Sequence, residues 1–70
     1  MNTVERLVYM ANQIALNLVT DVNPVAATAE HIILFWDPRM KRLILEHGSA
    51  GLSPTAADAI DRIREIHDAS

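Results

Sequence analysis

Three prolines constrain this chain more than any other feature, because each follows a side chain able to cap a helix: Asn23-Pro24, Asp37-Pro38 and Ser53-Pro54. Proline disfavours the αR conformation at the residue before it, so a helix arriving from the N-terminal side stops there. The same pair starts the next helix. The Asn, Asp or Ser side chain accepts a hydrogen bond from the free N–H groups of the new first turn, and proline at N1 sacrifices no intrahelical donor. With no alternating apolar pattern long enough for a strand, the expectation is an all-α fold: a small bundle of four helices over about 3–20, 24–36, 38–47 and 54–68, in a single helical domain spanning 1–70.

Periodicity supports each helix. In the first, Val4, Leu7, Val8, Ala11, Ile14, Ala15 and Leu18 recur at helical spacing with Val22 one turn further on, and Asn2 or Thr3 is placed to cap it. In the second, Val25, Ala29, Ile32 and Trp36 form the inward stripe with Ala26 and Ile33 beside it, while Thr28, Glu30 and His31 point elsewhere. The third turns Met40, Leu43, Ile44 and His47 inward and Arg39, Lys41, Arg42 and Glu46 outward. Gly48 follows as the residue that ends it. The fourth buries Ala56, Ala59, Ile60, Ile63 and Ile66 and leaves its charges in water.

The second and third helices meet at a sharp corner, Asp37-Pro38, inside the run Phe35-Trp36-Asp37-Pro38-Arg39-Met40, which holds the chain's only Phe and only Trp. Two readings stand for Trp36: core packing, or an anchor filling a partner's pocket while Arg39 meets a partner's carboxylate, since Trp and Arg are enriched among interface hot spots. Phe35 and Met40 at the corner, with Tyr9 and Met10 on the exposed side of the first helix, complete the candidate partner-binding set. Asn12 and Gln13 are amides flanked by apolar residues in mid-helix. Either they face water, or one of them ties the first helix to the free carbonyls of the corner.

Composition decides which kinds of function remain. A chain of 70 residues buries only about 60% of the surface its unfolded form exposes, and without Cys it has neither disulfides nor thiolate metal sites to compensate. Half of its residues are nonetheless apolar, more than a free-standing domain of this size needs. That surplus points to a partner. A net charge of −3 argues against a nucleic-acid binder, and no stretch approaches the roughly 18 apolar residues of a membrane span, so a soluble, cytoplasmic protein is expected. His31, His47 and His67 never fall at the i, i+4 spacing of a helical metal pair, and the two glycines lack the context of a phosphate loop. No catalytic, cofactor-binding or metal residue is assigned.

The run Tyr9-Met10-Ala11-Asn12-Gln13-Ile14-Ala15, then His31 with Phe35-Trp36-Asp37-Pro38-Arg39-Met40, then Gly51-Leu52-Ser53-Pro54 with Ala59-Ile60, resembles the delta subunit of NAD-dependent, molybdenum-containing formate dehydrogenase. The resemblance implies a non-catalytic accessory subunit. It further implies that the larger chains of the complex hold the molybdenum cofactor, iron–sulfur clusters, FMN and NAD, and that this chain binds none of them. Its role would be to bind the catalytic subunit, with the other subunits as further candidate partners, in support of assembly, stability or cofactor loading. The competing readings are a helical regulatory or adaptor module that closes its extra apolar surface as a homo-oligomer, and a small catalyst or metal carrier using His31 and His47.

Overall fold

The computed structural model describes residues 2–69 and contains four helices: α1 (Thr3–Asn17), α2 (Pro24–Phe35), α3 (Pro38–His47) and α4 (Pro54–Ala69). Each starts on a cap read from the sequence. Asn2 Oδ1 accepts from Glu5 N at 2.8 Å, Asn23 Oδ1 from Ala26 N at 3.1 Å, Asp37 Oδ1 from Met40 N at 2.8 Å and Ser53 Oγ from Ala56 N at 3.3 Å. At the corner both Trp36 and Asp37 have extended backbone, so the chain leaves one helix and enters the next within two residues.

The core takes Leu7, Ala11 and Ala15 from α1, Ala29 and Ile32 from α2, Trp36 from the corner, Ile44 from α3 and Ala56, Ala59, Ile60 and Ile63 from α4. Packing is closest between α2 and α4. Both bury alanines, which let two backbones approach, and Ile32 and Ile60 fill the volume that remains. The contact between α3 and α4 is much sparser, which leaves a groove between them.

Two helix ends are completed by side chains from the following helix. Lys41 Nζ, in the first turn of α3, donates to Ile33 O in the last turn of α2 at 3.2 Å. Arg64 on α4 donates to Leu45 O of α3 at 2.9 Å and pairs with Asp61 at 2.7 Å. These carbonyls lack intrahelical partners, so a cation placed on them both satisfies an acceptor and meets the negative end of the helix dipole.

The structure corrects the sequence reading in five places. Helix α1 ends at Asn17 rather than 20: Val19 N turns back to Leu16 O, Asp21 N bonds Leu18 O, and Asp21 Oδ1 accepts from Asn23 N, so local turns take the backbone groups that a longer helix would use. Val22 therefore leaves the apolar stripe and is fully exposed. Thr28 points inward and is completely buried, as its position three residues after Val25 and four before Ile32 dictates, and its hydroxyl has no hydrogen-bond partner. His47 is exposed, with Nε2 2.9 Å from Ala50 O instead of facing the core. Ile66 stays half exposed on the wall of the open groove between α3 and α4.

Candidate functional site

A groove of about 410 Å³ runs between α1 and the α2–α3 corner. Tyr9, Met10, Gln13, Ile14 and Asn17 form one wall at roughly helical spacing; His31 and Phe35, four residues apart on α2, form the other; Trp36 and Met40 complete the lining. Five of the six side chains expected to bind a partner meet here. The sixth, Arg39, is exposed on α3 but does not line the groove.

The two aromatic neighbours of the corner play opposite parts. Trp36 is 5% exposed and belongs to the core, so its ring is not presented as an anchor for a partner's pocket. Phe35 is 71% exposed, and Tyr9 across the groove 55%. The Phe35 ring rests on His31, with centroids 4.7 Å apart and planes tilted by 39°. That contact holds one face of Phe35 and leaves the rest uncovered.

The adjacent amides divide in the same way. Asn12 does not reach the corner: its Nδ2 donates to Gly51 O at 2.9 Å and its Oδ1 accepts from Ser53 N at 2.8 Å, pinning the loop between α3 and α4 onto α1. Gly51 has φ +81°, and a Cβ there would lie 3.3 Å from Val8 Cγ1, so the loop sits too close to α1 for a larger residue without adjustment. Gln13 is exposed at the groove.

His31, Ile14 and Asn17 were absent from the candidate set read from the sequence. His31 was legible in principle, lying four residues before Phe35 on the same helix face. Among the described residues, no group of three or more His, Cys, Asp or Glu side chains is placed to hold a metal ion, and no helix is long and apolar enough to cross a membrane.

Over residues 6–60 the sequence matches the family model of the NADH-dependent formate dehydrogenase delta subunit FdsD. The chain belongs to the FdsD family. It is thus a delta subunit of NAD-dependent formate dehydrogenase, as the resemblance implied, and its family is that of an accessory subunit of a complex with catalytic partners. No curated protein and no solved structure matches it. Every residue lining the groove between α1 and the corner falls inside the FdsD match, whereas the whole α4 wall of the groove between α3 and α4, residues 63–68, lies beyond it.

Proposed function

We propose that this FdsD chain is a non-catalytic subunit that docks on the catalytic subunit of the formate dehydrogenase through the groove between α1 and the corner. Phe35 carries the reading: an aromatic side chain 71% exposed, opposite the half-exposed Tyr9 and beside Met10 and Met40, is apolar surface that a second protein gains by covering. Methionines suit such a wall because their unbranched side chains adapt to the shape they meet. In this reading the molybdenum cofactor, iron–sulfur clusters, FMN and NAD sit on the other chains, and the cytoplasm is the compartment. The chain supports assembly, stability or cofactor loading of the catalytic subunit by binding it.

Co-expression of a tagged chain with the other subunits tests this. Wild type should recover the catalytic subunit, and Phe35→Ala should lower recovery by roughly ten-fold or more, the effect of removing a buried interface anchor. Full formate dehydrogenase activity and unchanged molybdenum content in cells lacking the chain, with no subunit recovered on the tag, would overturn it. Sedimentation of the isolated chain separates the competing case. A well-folded dimer that Phe35→Ala dissociates would mean that the groove is closed by a second copy.

A further inference from the structure

The second groove, between α3 and α4, encloses about 660 Å³, and Ile33, Leu45, Ile63 and Ile66 supply its apolar lining. Its charges are arranged against the interest of the helix that carries them. The chain has a net charge of −3, yet α3 places Arg39, Lys41 and Arg42 in its first half and Glu46 near its end. A helix dipole favours the reverse order.

Lys41 is accounted for by its bond to Ile33 O. Arg39 and Arg42 are not: both are exposed, neither has an ion-pair or hydrogen-bond partner among the described residues, Asp37 caps Met40 N, and Glu46, one turn after Arg42 on the same helix, forms no ion pair with it. Arg42 lines the groove, and Arg39 lies one turn before it. Two exposed, unpaired cations beside an open apolar channel are free to meet an anion from outside.

We propose that this groove receives an acidic amphipathic helix from another chain of the formate dehydrogenase complex, its apolar ridge against Leu45, Ile63 and Ile66 and its carboxylates against Arg42 and Arg39. Helix-in-groove docking supplies the apolar contact, and the two arginines supply charge complementarity. Glu46 on α3 and Asp68 on α4 also line the groove and repel carboxylates, so the acidic residues of the partner helix lie toward Arg42 and Arg39 and away from them. The inference rests on the chain being a docking subunit, and it adds a second, separate face to the groove that holds Phe35. One small subunit then grips two segments at once, and the second contact becomes intramolecular once the first is made.

The test is binding of the labelled chain to formate dehydrogenase purified without it, as a function of salt. The double variant Arg39→Glu with Arg42→Glu should bind about ten-fold or more weakly and lose much of the salt dependence, while Arg39→Lys with Arg42→Lys keeps most of both. Circular dichroism checks that each variant remains helical. Ile66→p-benzoylphenylalanine should photo-crosslink to a carboxylate-bearing helix of another subunit. Unchanged affinity in the double Glu variant, or a crosslink only to a second copy of this chain, would overturn the proposal. If Phe35→Ala abolishes binding while the arginine variants do not, the docking reading stands and this second face is wrong. Wild-type chain that binds nothing overturns both.

Discussion

The interior of the bundle and the groove between α1 and the corner are built from neighbouring residues with opposite fates. Trp36 is sealed in the core while Phe35, one residue earlier, is largely in water, and Asn12 fastens a loop while Gln13, one residue later, faces the groove. On a helix a step of one residue is a rotation of about 100°, so adjacent side chains of similar chemistry are delivered to different surroundings. One member of each pair stabilises the fold. The other is available for binding.

The largest effect should come from the inner side. Trp36→Ala removes the biggest core side chain and is expected to cost about 3–5 kcal/mol, a large share of what a domain this small possesses; thermal or urea unfolding should show the variant largely unfolded at room temperature. Asn12→Ala leaves the half-buried Ser53 N without its acceptor and frees the loop at Gly51 O, and should cost about 1–2 kcal/mol. Gln13→Ala, measured beside it, should stay within about 0.5 kcal/mol of wild type. Equal losses from both amides would erase the distinction between the two sides.

Gly51→Ala forces a side chain into positive φ against Val8 and should cost about 1–2 kcal/mol by the same unfolding measurement. Thr28→Val should go the other way, raising stability by about 1 kcal/mol, because it keeps the shape of a fully buried side chain and removes a hydroxyl with no partner. Phe35→Ala, like Gln13→Ala, should stay within about 0.5 kcal/mol of wild type on unfolding, while its effect on recovery of the catalytic subunit is large. A substantial stability loss at Phe35 would show that the outer side also belongs to the core.

What the sequence disclosed follows the range of the forces involved. Caps act over three residues, so Asn23, Asp37 and Ser53 announced the starts of α2, α3 and α4, and their prolines marked where the preceding segments had to end. The end of α1 had no proline or glycine beside it and was settled by competing turns around Asp21, so the periodic pattern ran three residues too far. The sequence places Asn12 and Gln13 alike to tie α1 to the corner, and only Asn12 makes a tie, to the α3–α4 loop instead. Its partner lies 39 residues away in the chain and depends on how the α3–α4 loop lands, which no local pattern encodes. Of the candidate site, Tyr9, Met10, Phe35, Trp36 and Met40 were grouped by chemistry and are grouped in space. Trp36 faces inward as its helical spacing with Ala29 and Ile32 implies, and Phe35, one step round the helix, is left outside.

The bonds from Lys41 to Ile33 O and from Arg64 to Leu45 O have a consequence for synthesis on the ribosome. Each middle helix is finished by a residue that has yet to be translated when its own last residue appears. The end of α2 stays untied until the first turn of α3 emerges, and the end of α3 until most of α4 has followed. A nascent chain from which Arg64 has not emerged therefore lacks this fastening, and the bundle closes late, after residues 54–64 have left the exit tunnel.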